Sequence, residues 1–159
     1  MRFVSIHQPV LLQEIINILQ PQPGAFFIDG TVGGGGHALA VIECIAPGGI
    51  FLGLDLDIEE AKQTKKKLTE IVRERYLRVK VRVVQGNFVD LPSIVEKEVS
   101  KRADGLLLDL GLSSNQLTSG KGFSFNRDEP LVMRYDGDVT GLTAARVLSE
   151  FSERRLVEI

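Results

Sequence analysis

Apolar positions along the chain switch between two spacings. PVLLQEIINIL (9–19) brings Leu11, Leu12, Ile15, Ile16 and Leu19 onto one helical face, which predicts a helix with Pro9 in its first turn. AFFID (25–29) is a short apolar run of strand formers, and GHALAVIECI (36–45) predicts a helix that APGG ends. GIFLGLDLD (49–57) is a second apolar run. IEEAKQTKKKLTEIV (58–72) reads as a helix with acids early and bases late, as the macrodipole favours. RVKVRVVQGNF (78–88) alternates charged residues with valines, the pattern of a strand with one exposed face. ADGLLLDLGL (103–112) is continuously apolar, long enough for a strand buried on both faces. Strands alternating with helices predict an α/β fold with a Rossmann-like parallel sheet of about four strands. From 113 to 141 the chain is polar and glycine-containing, and a helix is expected around 142–159.

Composition bounds the function without naming it. With 159 residues, 43% hydrophobic and 25% charged, the chain suits one ordinary globular domain. Its single cysteine, Cys44, cannot form an internal disulfide, and no apolar run approaches the ~20 residues of a membrane span, so a cytoplasmic protein without a signal peptide is expected. Two histidines and one cysteine scattered along the chain predict no metal site. The net charge of −2 does not advertise nucleic-acid binding. The bases are nevertheless concentrated: Lys62, Lys65, Lys66, Lys67, Arg73, Arg75, Arg78, Lys80 and Arg82 face only Glu70 and Glu74 within residues 62–82. Such a segment is either a solvated helix face with an edge strand or a surface that attracts phosphates.

Four strand ends carry polar or ligand-type residues. They are Asp29 with the run Gly33–Gly36, Asp55 with Asp57, Gly86–Asn87–Phe88, and Asp109. In parallel α/β sheets ligands bind at those ends, so four in succession define a candidate site. The glycine run is not a Walker A loop, because Gly36 and His37 occupy the places of Lys and Ser/Thr. A dinucleotide pattern fits at Gly33, Gly35 and Ala38 with Asp55 as the ribose acid, and S-adenosylmethionine asks for the same two features. The first two strand ends do not separate these ligands.

The later strand ends do. HQPVLLQEII, DGTVGGGGHA, GLDLD, GNF, LLLDLGLSSNQL and GFSFNRDEPLVMRYD, in this order, resemble the motif set of the bacterial 16S rRNA cytosine-N4 methyltransferases, class I enzymes dependent on S-adenosylmethionine. The resemblance runs from His7 to the last residue and implies the N-terminal, cofactor-binding half. Residues 1–116 would be a partial cofactor domain and 117–159 the start of an inserted substrate-recognition region. It further implies that Gly35, Gly36 and His37 line the methionine end of the cofactor. Asp55 would accept from the ribose hydroxyls, Phe88 would face the adenine, and Asp109 and Gln116 would border the reactive end, with Asp109 the candidate catalytic residue. Structural roles compete at several positions: Asp57 is the better helix cap, Asp29 could organise the glycine loop, and Phe88 could be core. No role follows for His7.

The sequence departs from the family pattern at Lys121, Glu129, Val132 and Tyr135, and Val132 removes a carboxylate from that segment. The implied substrate is small-subunit ribosomal RNA. The alternatives are a cofactor-binding module with no catalysis of its own and, behind it, an NAD-dependent oxidoreductase. An incomplete sheet exposes an edge, so self-association or pairing with a second chain is also expected.

Overall fold

The computed structural model describes residues 9–112, 114–136 and 140–159, without the side chains of residues 114 and 115. His7 therefore lies outside the described residues, as do the side chains of Ser113 and Ser114, which with Asp109 are the candidate acceptors for the N–H of the target amine. The chain forms two compact units, residues 1–110 and 111–159. In order, the first unit holds α1 (Leu12–Leu19), β1 (Phe26–Asp29), α2 (Gly36–Ile45), β2 (Ile50–Asp55), α3 (Ile58–Glu74), β3 (Lys80–Gln85), a 3-10 turn (Phe88–Asp90), α4 (Leu91–Glu98) and β4 (Gly105–Leu107).

All strand pairs are parallel, in the order β3-β2-β1-β4. Alternating side chains divide the core into two layers. Phe27, Phe51 and Val83 pack with Val41, Ile42 and Ile45 of α2 and with Ala61 and Leu68 of α3. Phe26, Ile28, Leu52 and Leu54 point the other way, toward Leu91, Ile94 and Val95 of α4. Burying each such side chain is worth about 1.5–3 kcal/mol, and β1 and β2 contribute most of them because they are central. Gly105 admits β4 beside β1, since a Cβ there would stand 2.1 Å from the Phe27 ring.

Two expectations are corrected. The predicted first helix starts late: Leu11 turns left-handed at φ 55° and α1 begins at Leu12. Pro9 instead lies against Gly36, and the Val10 carbonyl accepts from a histidine ring, so tertiary contacts hold these residues out of the helix. The run 103–112 is not a doubly buried strand either. β4 has three residues and is an edge, Leu107 is buried, and Leu106, Leu108 and Leu110 are exposed. Among the described residues no strand pairs with its outer side. β3, by contrast, is the edge that its alternating charges predict.

The second unit contains α5 (Ser114–Leu117), α6 (Ala144–Glu150) and α7 (Glu153–Val157). The single helix expected around 142–159 is two, because Phe151 is extended and Ser152 caps the second through Arg155 N–H. Three of the four departures from the family pattern serve the 121–135 loop. Lys121 Nζ donates to the Tyr135 carbonyl (2.9 Å), Glu129 Oε2 accepts from Gly122 N–H (3.0 Å), and Tyr135 packs on Phe123 with ring centres 5.4 Å apart. Val132 donates its N–H to Pro130 and accepts from Ala144, which any residue could do.

Candidate functional site

Strand order reverses between β1 and β4, so the crevice at their carboxyl ends is where this fold offers a ligand site. The two ends are stitched together. Gly30 N–H donates to the Leu107 carbonyl (2.9 Å), and Asp109 N–H donates to Thr31 Oγ1 (2.7 Å). Thr31 donates its own N–H to Asp29 Oδ1 (3.0 Å), with its hydroxyl 3.4 Å from the same oxygen. Gly30 keeps this approach close: a Cβ there would stand 2.5 Å from Leu108 Cδ2, so that exposed side chain would have to move, and 3.2 Å from Phe88 Cβ. Asp29 is buried, and that burial pushes its carboxyl up to about 6 against the pull of the Thr31 amide and of His37.

The glycine run is shaped largely by the chain itself. Gly35 sits at φ +77° with Thr64 Cγ2 3.0 Å from where its Cβ would be, and at Gly36 the Pro9 ring leaves only 3.1 Å. α3 holds the loop from behind, through Thr64 Oγ1 to the Gly33 carbonyl (2.5 Å) and Lys67 Nζ to the Gly34 carbonyl (2.7 Å). Asp55 holds it from β2, accepting from Gly33 N–H (3.1 Å) and from Asp57 N–H (2.9 Å). Asp57 is the cap of α3, accepting from the Glu59 and Glu60 amides.

α2 starts from this loop with Gly35 as N-cap, no side-chain cap and no acidic residue in its first turn. The first amides of a helix have no partner within it and, with the positive end of the dipole, they suit an anion. The His37 ring is turned away from that opening. Nε2 lies 3.0 Å from the Val10 carbonyl, which can only accept, so Nε2 carries the proton; Nδ1 stands 3.6 Å from Asp109 Oδ2. His37 is buried and the Asp109 side chain is about half exposed. Phe88 begins the 3-10 turn after β3, half-buried beside Gly30.

The first unit thus brings together Gly35, Gly36, His37, Asp55, Phe88 and Asp109. Gln116 lies in α5 of the second unit, where its carbonyl accepts from Ser119. Thr31, Thr64 and Lys67 escaped the sequence reading. The ID-G-T turn was a usable clue to Thr31; no local pattern marks the other two. Among the described residues no group of three His, Cys, Asp or Glu side chains is placed to hold a metal, and no helix is long and apolar enough to cross a membrane.

A Rossmann-like sheet with an uncapped helix after a glycine turn and an acid at the end of the second strand is the arrangement that dinucleotide-binding and class I, S-adenosylmethionine-dependent folds share. Comparison with known proteins agrees and is more specific. A model of the MraW methylase family matches residues 4–159, and the chain belongs to that family. "Ribosomal RNA small subunit methyltransferase H" of Syntrophotalea carbinolica is 43% identical over 159 residues, 99% of this chain and 48% of that protein. The protein of the same name from Syntrophus aciditrophicus is 40% identical over 156 residues, 98% of this chain and 47% of the other. The chain therefore spans about half the length of the curated relatives it matches. A solved structure titled PH0851 superposes with a TM-score of 0.50 at 25% identity, covering 73% of this chain and 24% of that one.

The residues present fit the family's cofactor, S-adenosylmethionine. Its methionine carboxylate suits the bare amides of α2, and its ribose suits an acceptor such as Asp55.

Proposed function

We propose that this chain is the cofactor-binding half of a methyltransferase that modifies the exocyclic N4 amine of a cytosine in small-subunit ribosomal RNA. The match to the MraW methylase family over residues 4–159 supports the reading, and the open amides at the N-terminus of α2 suit the anionic end of the cofactor without by themselves separating it from a dinucleotide. Backbone amides of Gly36 and His37 would take the methionine carboxylate, with Gly35 shaping the turn. Asp55 would accept from the ribose, Phe88 would lie on the adenine, and Asp109 and Gln116 would border the acceptor amine.

Bound there, the cofactor supplies a methyl group already activated on a sulfonium. The protein's task is to hold the acceptor nitrogen about 3–3.5 Å from that carbon and in line. The amine is a weak nucleophile because its lone pair is conjugated with the ring. A carboxylate oxygen of Asp109 accepting its N–H biases that lone pair toward the methyl and takes the proton released when the N–C bond forms. The target base must leave its stack to arrive. In a full-length relative, replacing the counterpart of Asp109 with Asn should lower turnover while cofactor binding persists; unchanged turnover sinks the role.

Titration of this chain with S-adenosylmethionine should give saturable binding, and titration with NAD none. Phe88→Ala should weaken the former on the order of tenfold, the loss of one stacked aromatic face. Binding of NAD alone would overturn the reading.

Among the described residues the outer side of β4 has no strand partner and Leu106 is exposed, which favours a second element of the proposal: this edge pairs with another polypeptide, either a second copy or the region that completes the relatives. A clean monomer in sedimentation at high concentration would count against self-pairing.

A further inference from the structure

α3 packs through Ala61, Thr64 and Leu68, and one of its outer flanks is a row of bases. Lys62, Lys65, Lys66, Thr69 and Arg73 recur at three- and four-residue spacing and, with Glu70, line an open groove of about 410 Å³. From Lys62 to Arg73 the row is about 16 Å long at the helical rise. Lys62 is held by Glu59 (2.8 Å). Among the described residues Lys65, Lys66 and Arg73 form no ion pair, although Glu70 and Glu74 stand on the same helix. Arg75 and Arg82, by contrast, find Glu43 and Glu98 on other elements. Like charges at this spacing disfavour a helix, and among the described residues only Lys62 of the row has an ion-pair partner to offset that cost.

The charge is also well placed. On its other flank α3 sends Lys67 to the Gly34 carbonyl, so the row stands about one helix diameter, ~10 Å, from the glycine loop. Thr69 is the only uncharged side chain in it, which leaves no apolar face to enter a lipid surface. Flexible cationic groups along one helix flank suit a phosphate backbone, which they hold without reading bases.

We propose that the outer flank of α3 (Lys62, Lys65, Lys66 and Arg73) binds the phosphate backbone of the RNA substrate and orients it toward the cofactor site. The inference rests on the ribosomal RNA reading above. A fluorescein-labelled single-stranded RNA oligonucleotide is titrated with this chain by anisotropy across a salt series. The triple variant Lys65→Gln/Lys66→Gln/Arg73→Gln is compared with Lys97→Gln/Lys101→Gln/Arg102→Gln, which removes equal charge in and just after α4, beyond the sheet. The first should lose affinity on the order of tenfold at low salt, and its log–log salt slope should fall by about 2, three contacts at ~0.7 each. The second should behave like the parent.

Equal loss in both triples would mean attraction to surface cations wherever they stand and overturns the site, as does no loss in the first. Binding to phosphatidylglycerol vesicles but not to RNA also overturns it. S-adenosylmethionine titration of every variant separates the two readings. Cofactor binding with no RNA effect breaks only this proposal, and its absence in the parent breaks the methyltransferase reading. Unchanged circular dichroism melts verify that both triples are folded.

Discussion

Two neighbouring strand-to-helix junctions treat the start of a helix in opposite ways. After β2, Asp57 caps α3, and Glu59 and Glu60 add negative charge to its first turn. After β1, α2 begins from a left-handed glycine, with neither cap nor acid. A glycine at the cap in place of an Asp gives up only a few tenths of a kcal/mol, so leaving these amides open costs the fold little. The β1–α2 junction leaves its first helical amides open, as the proposed cofactor site requires, whereas the β2–α3 junction is complete in itself. Asp29 and Asp55 follow the same division: both are buried, but Asp55 accepts from two loop amides, while Asp29 carries a burial cost that its partners do not remove.

The largest effect is therefore expected at Asp29. Its carboxyl is pushed up to about 6 in the folded protein from an ordinary 3.8. The native state keeps a proton that the unfolded chain releases between about pH 4 and 6. That contribution is fully present below pH 4 and is lost as pH rises through 6, a change of about 3 kcal/mol. Asp29→Asn keeps an acceptor for Thr31 N–H and should flatten this dependence in urea melts at pH 4 and pH 7. An unchanged slope would place the burial cost elsewhere.

Gly35→Ala comes next. It asks an L residue to sit at φ +77° with Thr64 Cγ2 3.0 Å from its Cβ, so a stability loss of about 1–2 kcal/mol and weaker cofactor binding are expected. Gly34→Ala sharpens the point. Its Cβ would meet only Glu60 Oε1, at 3.9 Å, so stability should hold, and any loss of affinity would locate the ligand against Gly34. The smallest effect belongs to the complete junction. Asp57→Ala should cost about 1 kcal/mol in thermal melts and leave S-adenosylmethionine affinity unchanged. If affinity fell with it, the two junctions would not be independent.

Much of this was readable in advance where the cause is local. Strand alternation in 78–88, the apolar runs at 25–29 and 49–57, and the cap at Asp57 depend on spacing and on side chains reaching their own backbone. The helix starting at Gly36 was legible for the same reason. Pro9 and Val10 were misread as helix because their partners, Gly36 and His37, are more than 25 residues away. Hydrophobic pattern cannot register a contact of that kind.

The amino-acid sequence alone determined the alternation of strands and helices, the presence of an acid or aromatic at each strand end, and the motif order that marks the family. Only the tertiary structure decided what the glycines are for and how the acids are used. Gly35 and Gly36 clear Thr64 and Pro9, Asp55 ties down the loop, and Thr31 links Asp29 to the end of β4. It also decided that the leucines after Gly105 stand on an open edge, since a strand is central only when chain lies on both sides of it. Local chemistry sets which groups a segment can offer, and the packing of distant segments sets which of those groups remain for a ligand.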